Sequence, residues 1–76
     1  MDEEQLNRII EAVETLCARH GLPPSVAQVA EEAGYESAGS VYYYLRIAVE
    51  RGRIANRNKK FMSLDMAQAW PVQKGK

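Results

Sequence analysis

Residues 21–52 read GLPPSVAQVAEEAGYESAGSVYYYLRIAVERG, from Gly21 to Gly52, and this stretch decides the fold. Pro23-Pro24 holds the chain extended, because a proline confines the residue before it to β or polyproline backbone. Ser25 with Gln28 three positions on has capping-box spacing, in which two side chains satisfy the free amides of a helix start. A short helix over Val26 to Ala33 follows, with Val26, Val29, Ala30 and Ala33 on one narrow apolar face. Gly34 ends it by taking the left-handed backbone, and Tyr35 is expected to plug the turn. Ser37-Ala38-Gly39-Ser40 opens a longer helix, with either serine as its cap, from about Ala38 to Arg51 with Gly52 closing it. At about 100° per residue, Val41, Tyr44, Leu45, Ala48 and Val49 share the core side of that helix. Tyr42, Tyr43, Arg46 and Glu50 fall opposite, with Gly39 and Ser40 beside them, and two exposed rings with an arginine are unusual for inert solvent contact.

On the N-terminal side, Asp2 and Gln5 form a second capping pair, and Leu6, Ile9, Ile10, Val13, Leu16 and Cys17 repeat at helical spacing. The first helix is predicted over Glu3 to Arg19, stopping at Gly21. On the C-terminal side, Arg53-Ile54-Ala55-Asn56 and Lys60-Phe61-Met62-Ser63-Leu64 read as two strands around an Arg57-Asn58-Lys59 turn. Asn58 tolerates the positive backbone angle of such a turn, and Ile54 with Phe61 or Met62 would anchor the hairpin. A two-stranded ribbon is marginal alone, so it should pair with Leu22-Pro23-Pro24 or pack on the third helix. From Asp65 the periodicity is lost, which reads as a tail over 65–76 behind a domain over 1–64; Trp70 is expected to pack on something.

A chain of 76 residues makes one domain with a modest core and little room for a deep catalytic cleft. Cys17 is the single cysteine, which rules out an internal disulfide and a cysteine-cluster zinc site, and its place on the apolar stripe makes it a small buried hydrophobe. Cys17 and His20 have i, i+3 spacing, but two ligands alone do not make a metal site, and no cofactor is expected. The acidic Met-Asp-Glu-Glu start is unlike a signal peptide and no apolar run approaches spanning length, so a cytoplasmic protein with no membrane partner is expected. The formal net charge of zero hides a strong polarity: residues 1–36 carry eight acidic and two basic side chains, net −6, and residues 37–76 carry eight basic and two acidic, net +6. That asymmetry points the second half toward a polyanion, although two solvated faces would look the same.

At this point the residues resemble the winged-helix DNA-binding domain of LexA-type repressors. The likeness covers about residues 5–64 and rests on Gly21-Leu22-Pro23-Pro24-Ser25, on Ala30-Glu31-Glu32-Ala33-Gly34-Tyr35, and on the Ser37 to Ser40 turn. It continues through Val41, Leu45, Arg46 and Glu50-Arg51-Gly52 into Ile54. It implies a mainly α fold with a small β wing: a winged helix-turn-helix of three helices plus a two- or three-stranded antiparallel sheet. It also implies a cytoplasmic DNA-binding transcription regulator, a repressor in that family, with the third helix in the major groove and the wing at the backbone or minor groove. By resemblance the base-facing positions are Ser37, Gly39, Ser40, Tyr42 and Tyr43. The family usually carries a small polar side chain where this chain has Gly39 and polar or charged residues near Tyr43, so no target sequence transfers. The likeness is to the DNA-binding domain alone, so self-cleavage is not expected of these residues.

Arg46, Arg53, Arg57, Lys59 and Lys60 are the candidate phosphate contacts, and about five such contacts give a salt slope near −4.5. Reading would fall to Ser40, Tyr42 and Tyr43, through hydroxyls at base edges and rings on thymine methyl groups. The expected partner is double-stranded DNA, with a homodimer or a second regulatory protein completing the site; one copy would have moderate specificity, so a symmetric or tandem target is expected. A different class of function is a protein-interaction module using the acidic first helix or the tyrosine-rich face. An enzyme is not expected: a nucleophilic tyrosine would need metal-binding histidines or an arginine cluster, and no paired carboxylates or phosphate-cradling loop is present.

Overall fold

The computed structural model describes residues 2–70, as four helices and a two-stranded antiparallel hairpin: α1 (Glu3–His20), α2 (Val26–Ala33), α3 (Ala38–Glu50), β1 (Ala55–Arg57), β2 (Lys60–Met62) and α4 (Leu64–Ala69). Each start has its cap. Asp2 Oδ1 accepts from the amides of Glu4 and Gln5, Ser25 and Gln28 form the full reciprocal box, and of the two candidate serines Ser37 caps α3 while Ser40 lies inside it. Gly34 and Gly52 take positive φ, and the amides just beyond them close the helix ends, Tyr35 N–H onto Ala30 O at 2.8 Å and Arg53 N–H onto Ala48 O at 2.9 Å.

α1 supplies Leu6, Ile9, Ile10, Val13, Leu16 and Cys17 to one core, met by Val29, Ala30 and Ala33 of α2 and by Val41, Leu45 and Ala48 of α3. Tyr44 and Val49, expected on the same side of α3, are half-buried against it, and Tyr35 packs there as the plug that its position suggested. The Tyr35 hydroxyl is enclosed without a hydrogen-bond partner, and that desolvation, reinforced by Tyr44, pushes its pKa above the ordinary tyrosine value. Two exposed ion pairs tie the helices at their ends: Arg51 to Glu3 at 2.8 Å, and Arg19 to Glu32 through two contacts at 3.2 and 3.3 Å. At such exposure each contributes about 0–1 kcal/mol, so the apolar core rather than the pairs holds the bundle together.

The hairpin differs from the sequence reading. Arg57 belongs to β1 and pairs with Lys60, and the turn shrinks to Asn58-Lys59, both left-handed at φ 55° and 65°. Two left-handed residues make the type I′ turn, whose twist matches that of paired strands. Asn58 suits it and Lys59 does not, because a side chain at positive φ crowds the backbone. Lys59→Gly is therefore expected to raise the stability of the domain by about 0.5–1 kcal/mol, measured by chemical denaturation. The ribbon gains no third strand from Leu22-Pro23-Pro24; packing on both faces of β2 stabilises it instead, since the consecutive residues Phe61 and Met62 are both buried.

The stretch read as a tail also departs from expectation. Ser63 caps a fourth helix through Met66 N–H at 3.2 Å, Ala67 of that helix enters the core, and the Ser63 amide donates to Cys17 Sγ at 3.4 Å. Trp70 packs half-buried against the core as its size suggested, while the rest of the predicted tail, residues 71–76, lies outside the described residues. Among the described residues no helix is long and apolar enough to cross a membrane.

Candidate functional site

The exposed side of α3 follows from its own periodicity: with Val41, Leu45 and Ala48 fully buried, Gly39, Tyr42, Tyr43, Arg46 and Glu50 fall on the opposite side. Tyr43 is 59% exposed and Tyr42 47%. Gly39, Tyr42, Tyr43, Arg46, Ile47 and Glu50 line one open groove of about 490 Å³ along the helix. The two rings are held differently. Tyr42 meets Phe61 of β2 edge to face, centroids 5.8 Å apart at 78°, and carries the Arg46 guanidinium 5.9 Å above its ring. Tyr43 leans edge-on against Tyr44 at 5.6 Å and touches no residue of the hairpin by ring contact. Tyr42 therefore links α3 to the hairpin, whereas Tyr43 is the freer ring.

A second groove, about 310 Å³, begins at the other edge of Tyr42 and runs between the hairpin tip and the start of α2. Lys59, Lys60 and Phe61 form one wall, and Pro23, Pro24, Ser25, Val26 and Gln28 form the other. Sequence reasoning placed Ser25 and Gln28 as caps and missed that the caps would face the two lysines; nothing local in the sequence reports that approach. The only ion pairs among the described residues use Arg19 and Arg51, so the charges of Arg46, Arg57, Lys59 and Lys60 are not neutralised by a carboxylate contact.

Not every candidate joins this surface. The Ser37 hydroxyl oxygen accepts from the Gly39 amide at 3.2 Å and so serves the helix cap, although its proton stays available to donate. Ser40 is exposed but lines neither groove. Arg53 turns its guanidinium toward Asn7 Oδ1 of α1, at 3.4 Å, rather than toward the α3 groove. Arg57 is exposed on β1 opposite Lys60. Glu50, weighed only as a solvent-facing residue, enters the α3 groove and puts a carboxylate one turn beyond Arg46.

Gly39 breaks a local rule. It sits in the first turn of α3 with ordinary backbone, and a Cβ added there would meet only Ser37 Oγ at 3.5 Å, a normal contact. Alanine would fit and favours helix, so the glycine costs the fold up to about 1 kcal/mol that the fold itself does not require. Such violations concentrate where function needs them. Gly39→Ala is expected to raise thermal stability by up to about 1 kcal/mol, measured in a melting series.

A larger open groove of about 700 Å³ lies elsewhere, between α1 and the start of α4, lined by Glu14, Cys17, Ala18, Ser63, Leu64, Asp65 and Met66. It holds two carboxylates and no cation, and Cys17 lies buried at its floor. Among the described residues no three His, Cys, Asp or Glu side chains are gathered to hold a metal. No family model, curated protein or solved structure matches this chain.

Proposed function

We propose that this domain binds double-stranded DNA as a winged helix-turn-helix transcription regulator, with α3 in the major groove and the β1–β2 hairpin as the wing on the backbone. One observation carries the reading: Tyr42 touches Phe61, so the exposed face of α3 and the lysines of the hairpin tip form one continuous surface. A rod bearing rings and small residues beside a cationic flap fits a duplex, whose major groove admits an α-helix while phosphates flank it. The resemblance of the Gly21–Ser25 entry and the Ser37–Gly52 helix to LexA-type repressors supports the same orientation.

In this reading Lys59, Lys60 and Arg57 neutralise phosphates, and the bare backbone at Gly39 lets base edges approach the helix start. Tyr43 is the free ring available to thymine methyl groups. With Arg53 turned toward Asn7 and Arg46 lying in the α3 groove, three of the five contacts expected from sequence remain, and the slope of log affinity against log salt is expected at about −2.7. Titration of the whole chain with duplex DNA at several salt concentrations tests this; binding that is absent, or present but indifferent to salt, rejects it. One helix reads few base pairs, so a symmetric or tandem pair of sites, occupied by two copies, gives the specificity of a regulator.

A second reading has a specific observation in its favour. Glu50 sits in the α3 groove with two exposed tyrosines, a mixture suited to a protein partner that offers a basic anchor. Such an interface would leave Lys59 and Lys60 without a role, which is why DNA is preferred.

A further inference from the structure

We propose that Arg46 is the specificity-determining residue of the α3 face, reading the O6 and N7 acceptors of a guanine rather than neutralising a phosphate, with Tyr42 as the residue that positions it. This rests on the DNA-binding reading above and names what that surface selects. Three observations carry it. Arg46 shares the groove with Gly39, Tyr42 and Tyr43, and α3 rises about 1.5 Å per residue, so Gly39 to Arg46 spans roughly 10 Å of one exposed stripe. A helix seated in the major groove turns such a stripe to base edges, whereas the flanking phosphates meet what lies beside it.

The second observation is the pose. The guanidinium lies over the Tyr42 ring, and no ion pair or side-chain hydrogen bond among the described residues engages it. Because Phe61 fixes that ring from the hairpin side, the arginine is steered along the groove with its donors free. A planar, rigid fork held this way matches the two acceptors of guanine, and the loss of side-chain freedom is met before binding.

The third is Glu50. A phosphate close enough to pair with Arg46 would also approach a carboxylate one helical turn away in the same groove, and like charges oppose that approach. The guanine acceptors are neutral and carry no such penalty. Arg46 is thereby separated in role from Lys59 and Lys60, which face the other groove.

The experiment is selection from a randomised duplex pool with the whole wild-type chain, followed by the same selection with Arg46→Gln, Arg46→Ala and Tyr42→Ala, each with its salt slope. Wild type should enrich a guanine at one fixed position, with discrimination of about 5- to 150-fold over the other bases, the range for one bidentate pair. Arg46→Gln should move that single preference to adenine, whose N6 and N7 suit an amide, with the rest of the motif and the salt slope kept. Arg46→Ala should erase the preference there and nowhere else, and Tyr42→Ala should weaken that same guanine preference with the salt slope kept, whereas an undiminished preference would show that Tyr42 does not position the arginine. A uniform loss across all duplexes in Arg46→Gln, with the slope reduced by about 0.9, identifies a phosphate contact and overturns the proposal. Wild type that binds with salt dependence but enriches no guanine also overturns it. Wild type with no salt-dependent binding removes the DNA reading beneath it.

Discussion

Leu45→Ala is expected to leave the domain largely unfolded at temperatures where the parent chain is folded, while Tyr43→Ala, two positions away, is expected to melt like the parent and lose specific DNA binding. Leu45 is completely buried in the core shared by the first three helices, with Val41 and Ala48 one turn to either side. Truncating such a leucine costs about 2–5 kcal/mol, from lost transfer energy and the cavity left behind. A domain of this length is stable by only roughly 4–11 kcal/mol at 0.05–0.15 kcal/mol per residue, so the loss takes up much of that margin. Tyr43 is 59% exposed, with its ring edge-on to Tyr44, and its removal should change stability by less than about 1 kcal/mol. Parallel thermal melts by circular dichroism check both. If Tyr43→Ala melts as early as Leu45→Ala, the outward assignment of that face is wrong.

Neutralising the hairpin tip should have the largest effect on affinity that leaves sequence preference alone. Lys59→Gln with Lys60→Gln removes two cations from the wall of the groove that begins at Tyr42. Each phosphate contact contributes about 0.9 to the salt slope, so the double variant should lose about 1.8, or roughly thirtyfold in affinity near 0.15 M salt. The loss should be equal for preferred and scrambled duplexes, because phosphate contacts hold the protein in place without distinguishing bases. Fluorescence anisotropy on both duplexes measures this, and a loss confined to the preferred duplex would show that the lysines read bases instead.

The helix starts were legible because caps are local chemistry: Asp2, Ser25 and Ser37 each bond amides within three residues, so a short window contains the whole interaction. The exposed face of α3 was legible for a related reason, since Val41, Leu45 and Ala48 set the buried side and geometry sets the other. α4 was not, because six residues make fewer than two turns and give no period to read; Ser63 as a cap was its only local signal. The turn was misplaced by one residue because Lys59 has no preference for left-handed backbone and is held there by strand pairing. The junction of the hairpin with the exposed face of α3 was the least visible. Tyr42 and Phe61 are 19 positions apart, and only the folded chain brings their rings to 5.8 Å. For the same reason Arg53 reads in the sequence as one more cation of the hairpin, whereas its guanidinium lies beside Asn7.

The central claim is that α3 and the hairpin make one DNA-facing surface while the acidic side of α1 stays in solvent. Its most direct test is an amide chemical-shift titration of the whole chain with duplex DNA. The expected perturbations fall on residues 37–46 and 57–61, joined across Tyr42 and Phe61, with Glu4, Glu11 and Glu14 of α1 unmoved. Shifts centred on α1, or on the groove that it forms with α4, would contradict the account.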